Sequence, residues 1–439
     1  MSTVSEKLKA AEFEGILNCV HCGLCLDACP TYTELATEQD SPRGRLFLMR
    51  GLWEGELELT EEVAEPLWRC LDCRACETAC PSNVPYGELL EKTRDLMVDE
   101  LPMGIKEKFL RTVFFKCIFP YSSRLTLLGN IFWLYQKLRI PQLVTGTFIK
   151  YLLPKSTVEQ HKLMPKFNGG SFKKKNSGKH LSAKEAKLRV GLFTGCIMDL
   201  ANQEIHQATL KVLLAAGCEV ELNQDQGCCG ALHVHSGERD IAQALAKKNI
   251  SAFGDGLDFI ITNAAGCGAQ LQEYKHLFKK EDILQERIER FENKVVDILQ
   301  FLEIHKQQLD SLSFKNNEQE VILYDAPCHL IHAQKVDAKP IALLNGIPGI
   351  ELVAIPEADR CCGSAGIYNL SQPKLSNDIL DRKLDNIELA MKQNPKAKVL
   401  VTGNPGCLYQ LKYGIEKRQL DLQVVHPITV IASSLVNNK

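Results

Sequence analysis

CVHCGLCLDACPTY, residues 19–32, and CLDCRACETACPSNVPY, residues 70–86, carry one spacing twice, Cys-x2-Cys-x2-Cys-x3-Cys-Pro. The first copy is Cys19, Cys22, Cys25 and Cys29; the second is Cys70, Cys73, Cys76 and Cys80. Cysteine is the abnormal component of the composition, at 18 of 439 residues. Such usage points to disulfides in an exported chain or to metal ligands in a reduced one. The N-terminal stretch MSTVSEKLKAAEFEGIL mixes Lys with Glu and has neither an apolar core nor a small-residue cleavage site, so no signal peptide is read there. No apolar run reaches the ~18 residues of a spanning helix. A cytoplasmic chain whose thiols bind metal is the expectation.

In two-cluster bacterial ferredoxins this spacing lets three close thiolates hold one cube while the fourth crosses to the other. Cluster one is therefore assigned to Cys19, Cys22, Cys25 and Cys80, and cluster two to Cys70, Cys73, Cys76 and Cys29. Pro30 and Pro81 turn the chain away from each cube. Zinc is the alternative for paired Cys-x2-Cys, but it uses four thiolates per ion and leaves the Cys-x3-Cys-Pro ending unexplained. Between the runs, Ser41-Pro42-Arg43-Gly44-Arg45 opens an expected helix to about Gly55. Two readings stand for it: positive charge that tunes a cluster or marks a docking surface, or a capped helix start with two solvated arginines.

Outward from the cysteine runs the composition is ordinary. Lys and Arg number 52 against 54 Asp and Glu, a net charge of -2, so no nucleic-acid partner is expected. From Leu101 to about Pro165 apolar and aromatic residues predict amphipathic helices broken at Pro120 and Pro141. Aromatics such as Phe109, Phe114, Phe115, Phe119, Phe132 and Trp133 alternate there with Lys116, Arg124, Lys137 and Arg139. That pattern suits a membrane surface, a partner subunit, or a helical layer packed on the rest of the chain. Residues 166–187 have the polar, basic, glycine-bearing composition of a linker. Beyond it, strand and helix alternate: LRVGLFTG before Cys196, CEVEL, DFIITNAAG, then VILYDAP before Cys328, IELVAIP, and KVLVTGNPG before Cys407. The order recurs, which predicts two duplicated α/β units, each with a short parallel sheet.

The expected architecture is thus a multidomain α+β and α/β chain: a helical two-cluster ferredoxin-like domain at 1–100, a helical connector and basic linker at 101–187, and two cysteine-rich units at 188–315 and 316–439. Cys196, Cys228, Cys229 and Cys267 form one set in the second half, and Cys328, Cys361, Cys362 and Cys407 repeat it. In each set the first cysteine follows a strand and Cys-Cys-Gly lies in a loop, so the thiols converge at the carboxyl ends of the strands, where open α/β sheets hold ligands. Three readings remain open for these eight residues: further 4Fe-4S clusters, redox-active thiols, or small buried apolar residues. Cys117 and Cys218 fit no motif and are read as core. His233, His235, His329 and His332 bring imidazoles near the thiols, either to relay protons or hydrogen-bond a sulfur, or as structural residues, and His426 is read alike as motif or cap. GLFTG lacks dinucleotide-loop spacing, so neither NAD nor flavin is expected on this chain.

The duplicated Cys, Cys-Cys-Gly, Cys pattern resembles the CCG domains of heterodisulfide reductase and its relatives. The whole order, ferredoxin pair, connector and two CCG domains, is similar to the family of glycolate oxidase iron-sulfur subunits. CVHCGLCLDACPTY, SPRGR, CLDCRACETACPSNVPY, APCHL, CCGSAG, TGNPGC and HPI at 426–428 carry that likeness. It implies an electron-transfer subunit with two 4Fe-4S clusters that takes electrons from FAD on a partner oxidase chain. That partner oxidises a 2-hydroxy acid such as glycolate, and the electrons pass toward the quinone pool at the inner face of the cytoplasmic membrane. D-lactate or glycerol 3-phosphate dehydrogenase subunits are the alternative relatives. The reductase pattern ends in Cys-x2-Cys, whereas here Gln270 and Gln410 stand at the fifth position, which weakens a disulfide-cleaving reading.

Overall fold

Among the described residues, the first hundred positions form helices and turns alone. The computed structural model describes residues 3–142, 164–182, 185–280, 282–309, 312–315, 319–337 and 339–436. Helices α1 (Thr3–Ala10), α2 (Pro30–Leu35), α3 (Pro42–Glu54), α4 (Glu61–Trp68), α5 (Ala75–Thr78) and α6 (Tyr86–Glu100) enclose a core that includes Leu8, Phe13, Met49, Leu52, Leu67 and Leu90. Each boundary has a local cause. Ser41 Oγ accepts from the Gly44 amide at 2.9 Å, Pro42 occupies the first turn, and Gly55 ends α3 with a left-handed φ of 82°. In α6, Tyr86, Leu89, Leu90, Thr93 and Met97 share the buried face at helical spacing. Gly87 lies on that helix because the Arg74 guanidinium crosses it, and a Cβ there would collide with Arg74 Cζ.

The connector starts with α7 (Ile105–Arg111), continues as a π-helical segment over Thr112–Ile118, turns at Pro120 as expected, and resumes as α8 (Ser122–Lys137). Its aromatics divide. Phe115 is buried against His233, ring centroids 5.6 Å apart, and Phe132 stacks on Phe167 at 5.4 Å. Phe109, Phe114 and Tyr121 stay exposed. Cys117, read as core, is exposed as well, because its apolar sequence neighbours include the solvent-facing side of this segment; Cys218 is fully buried in a strand. The part of the expected connector at 143–163, and the two positions 183 and 184, lie outside the described residues.

The second half contains two sheets of equivalent order. Strands β1 (Gly178–His180), β2 (Leu188–Leu192), β3 (Cys218–Leu222), β4 (Phe259–Thr262) and β5 (Val295–Asp297) run β1-β3-β2-β4-β5 across the first. Strands β6 (Glu320–Asp325), β7 (Ile350–Ala354), β8 (Val399–Thr402) and β9 (Gln423–Val425) run β7-β6-β8-β9 across the second. Apart from antiparallel β1, all pairings are parallel. Removing β1 leaves the same order twice, as the repeat predicts. Central strands such as β6 are buried on both faces and read as continuous apolar runs. One apolar cluster unites the units, containing Val190, Leu213 and Val220 of the first together with Ile322, Leu400 and Val424 of the second.

The stretch with linker composition is not free chain where it is described. Ser171 caps a short helix, Phe172–Lys175, whose Phe172 and Lys173 are buried, and β1 pairs with the edge of β3. Polar composition misleads here because an edge strand is recruited through backbone hydrogen bonds. The buried Lys173 ammonium finds its own partner, donating to the Gln226 carbonyl at 2.6 Å. Strands β1, β5 and β9, three residues each, are too short to show a period in the sequence.

Candidate metal centres

Helix ends and tight turns gather the N-terminal thiols into two groups. Cys19, Cys22, Cys25 and Cys80 line one small cleft of about 30 Å³ beneath the start of α3, with Cys76 also touching it. Cys22 is exposed and the other three half-buried. Burial, and after it the neighbouring Cys19 and Cys22, push the Cys25 thiol up to about 11. Cys29, Cys70, Cys73 and Cys76 form the second group and are all buried. Desolvation raises the Cys76 thiol well above the ordinary range, with Cys73, Cys70 and Cys29 as its thiol neighbours. Each fourth cysteine thus lies beside the other run, as the crossed ferredoxin arrangement requires.

The buried group is furnished with donors. Tyr86 Oη donates to Cys70 Sγ at 3.4 Å and the Asp72 amide donates to the same sulfur at 3.4 Å. Arg45 is fully buried and aims Nη1 at Cys29 Sγ, 3.7 Å away, while its Nη2 reaches Asp40 at 3.2 Å and its Nε donates to the Pro66 carbonyl at 2.7 Å. The reading of two solvated arginines therefore holds for neither in full: Ser41 is a cap and Arg43 pairs with Glu38 near the surface, but Arg45 is a buried cation beside sulfur. The motif gave no sign of this, since only the helix phase of α3 turns Arg45 inward.

The eight cysteines of the second half meet in one place. Cys196, Cys228, Cys229, Cys267, Cys328, Cys361, Cys362 and Cys407 all line a single cavity of about 250 Å³ between the two sheets. Each lies after the carboxyl end of a parallel strand. Gly230 and Gly363 follow the Cys-Cys pairs at φ of 94° and 85°, the left-handed conformation that lets both thiols of a pair turn inward. Within the first set the Cys228 hydrogen bond raises the Cys196 thiol, with burial adding to it. In the second set Cys362 and Cys407 sulfurs stand 3.1 Å apart, and hydrogen bonds from Cys328 and then Cys362 hold the Cys361 thiol well below its usual range.

The two halves also touch. Leu71, Cys73 and Ala75 pack with Cys328, Cys361 and Tyr368, and burial, then Cys361, raise the Cys73 thiol well above its usual range. Arg74 ties the domains together, donating to Asp72 at 2.9 Å, Glu91 at 3.0 Å and Glu273 at 3.3 Å.

Of the histidines, His235 and His329 line the eight-cysteine cavity, ring centroids 5.7 Å apart, with His329 Nδ1 3.5 Å from Cys328 Sγ. Burial opposes charge on His235, but Asp72 and Glu91 prevail and raise it to about 9. His233 instead meets the Phe115 carbonyl, His332 meets Thr78 and the Asp359 carbonyl, and His426 caps the helix Pro427–Ser434 through the Ile428 amide. Gln410 is buried with its amide engaged by Ser376 and Asn369. Sequence reasoning missed Asp72, Arg74 and Glu91, which no spacing relates to a sulfur.

Cysteine binds iron as the thiolate, which ligation stabilises, and each group of four gathered thiols supplies one ligand to each iron of a cube. The donor chemistry therefore fits 4Fe-4S clusters in the N-terminal pair. Comparison with known proteins agrees. A 4Fe-4S dicluster domain matches residues 15–84, a cysteine-rich domain matches 190–272 and 322–412, and the linker region of the glycolate oxidase iron-sulfur subunit matches 106–164. The chain is 38% identical to the probable glycolate oxidase iron-sulfur subunit of Bacillus subtilis over 97% of its own length and 95% of the relative's. It is 31% identical to the glycolate oxidase iron-sulfur subunit of Escherichia coli over 92% and 91%. One subunit of the fumarate reductase (CoM/CoB) of Methanothermobacter marburgensis is 27% identical over 97% of this chain and 74% of that one. With the dicluster fold, the duplicated cysteine units and the intervening linker all matched in order, the chain belongs to the family of glycolate oxidase iron-sulfur subunits.

Proposed function

We propose that the chain is the electron-transfer subunit of a flavin-linked 2-hydroxy-acid oxidoreductase, receiving electrons from FAD on a partner subunit after glycolate is oxidised to glyoxylate. Bound 4Fe-4S clusters supply one-electron chemistry. In this reading Cys19, Cys22, Cys25 and Cys80 hold the first cluster and Cys29, Cys70, Cys73 and Cys76 the second. Cys196, Cys228, Cys229 and Cys267 hold a third, and Cys328, Cys361, Cys362 and Cys407 a fourth. The observation that carries it is the packing of Cys73 against Cys361 and Cys328, which makes the cysteine sets a continuous series instead of two isolated pairs. The Cys29, Cys70, Cys73 and Cys76 set is buried, and Arg45, Tyr86 and the Asp72 amide supply hydrogen bonds to its sulfurs.

The electrons are proposed to leave toward the quinone pool at the inner face of the cytoplasmic membrane. Exposed Ile105, Phe109, Leu110 and Phe114, interleaved with exposed Lys106, Lys108 and Lys116, have the composition of an interfacial helix. No helix among the described residues is long and apolar enough to cross a membrane.

Iron and acid-labile sulfide on anaerobically purified protein test the assignment. About twelve to sixteen irons per chain are expected if one or both inner sets are loaded. About eight would confine the clusters to the N-terminal pair; zinc without sulfide would end the electron-transfer reading.

A further inference from the structure

The four cysteine sets have unequal access to the outside. Among the described residues Cys22 is the one exposed thiol of the sixteen in the two motifs, and it belongs to the Cys19, Cys22, Cys25 and Cys80 group. At the other end of the series, the eight cysteines of the shared cavity are buried or half-buried, none is exposed, and Leu71 of the N-terminal domain lines the same cavity. A flavin carried inside another protein cannot enter a cavity of about 250 Å³, whereas the site of Cys22 presents a thiol at the surface.

Around Cys22 that surface is apolar to an unusual degree. Leu17 is 51% exposed, Val20 69%, Leu24 63% and Phe47 62%. Val20 and Leu24 stand on the loop between the ligand cysteines. Phe47, one turn after Arg43 on α3, reaches over the same loop, its ring meeting His21 edge-on with centroids 6.5 Å apart. Neither charge nor local packing explains four large apolar side chains left in water beside one exposed thiol, since the core of this domain is filled without them. Large apolar side chains exposed on and over one ligand loop mark an interaction site, and an apolar contact also expels water from the space between two redox centres.

Resting on the electron-transfer reading above, we propose that Leu17, Val20, Leu24 and Phe47 form the docking surface for the FAD-binding subunit. The partner is a protein, not a lipid surface or a small acceptor. The basic neighbour of this patch, Arg43, is neutralised by Glu38 at 2.7 Å, unlike the exposed lysines of α7 and the π-helical segment, and the patch lies at the exposed end of the series.

The FAD-binding subunit of the same oxidoreductase, purified alone, is the probe, and its affinity for the immobilised full-length chain is measured by biolayer interferometry. Phe47→Glu is expected to weaken binding about tenfold or more, and Phe47→Ser, which removes the ring without adding charge, to weaken it in the same direction. Both should keep the iron and sulfide content of the unaltered chain, because Phe47 is not a core residue. Ile283→Glu, at a position 96% exposed elsewhere, should bind as the unaltered chain does. Equal affinity of the Phe47 variants, or an equal loss with Ile283→Glu, overturns the docking surface and leaves the electron-transfer reading standing. A chain that binds the FAD subunit not at all, with its iron intact, overturns both.

Discussion

The two ferredoxin-type cysteine groups share a spacing and differ in nearly everything else. The Cys19, Cys22, Cys25 and Cys80 group opens at the surface, with an apolar collar and one exposed thiol. The Cys29, Cys70, Cys73 and Cys76 group is buried, receives hydrogen bonds from Tyr86 and the Asp72 amide, has Arg45 beside it, and leans on the second CCG unit. A ligand motif fixes which atoms bind; the surroundings fix what the bound group faces and how easily it is reduced. The outer group is built for contact with another protein and the inner one for contact within the chain.

Removing a ligand separates these roles most severely. Cys25→Ser should lower iron by about four atoms per chain and abolish electron delivery, while the FAD partner still reduces an artificial dye. Natural electron flow that persists in this variant would show that the outer group conducts nothing.

A smaller and more selective effect is expected from charge. Arg45→Met deletes the buried cation next to Cys29 and takes from Asp40 one of its two arginines, the other being Arg69. Stability in chemical denaturation should fall by about 3 kcal/mol, and the reduction potential of the inner group should drop, since a positive charge near sulfur favours the extra electron. Arg43→Met, at the surface beside the outer group, should leave the inner potential where it was. Redox titration followed by electron paramagnetic resonance reads both, and equal shifts from the two variants would erase the contrast between the groups.

The mildest change tests a single hydrogen bond. Tyr86→Phe keeps the ring in the core and loses only the bond to Cys70 Sγ. Stability should change by about 1 kcal/mol, with the inner potential lowered and the outer one unmoved. An unmoved inner potential would mean that this hydroxyl does not influence the sulfur.

Much of this was legible in the residues. The periods of LRVGLFTG, CEVEL and VILYDAP locate β2, β3 and β6, and the recurrence of Cys, Cys-Cys-Gly, Cys anticipates two sheets of like order. The polar stretch 166–187 reads as linker because composition reports side chains, whereas β1 joins its sheet through the backbone. Cys117 reads as core for the same reason in reverse: apolar neighbours along the chain say nothing about which side of a helix faces water.

Sequence alone determined the ligand chemistry, the duplicated strand order and the separation into helical and α/β parts, because spacing and period are local properties carried by residues close in the chain. Tertiary structure decided which cysteine group is buried, that Arg45 points at sulfur while Arg43 does not, that Arg74 joins four carboxylates, and that all eight CCG cysteines share one cavity. Those features bring together residues far apart in the chain, and their positions follow from how whole helices and sheets pack, which no local pattern encodes.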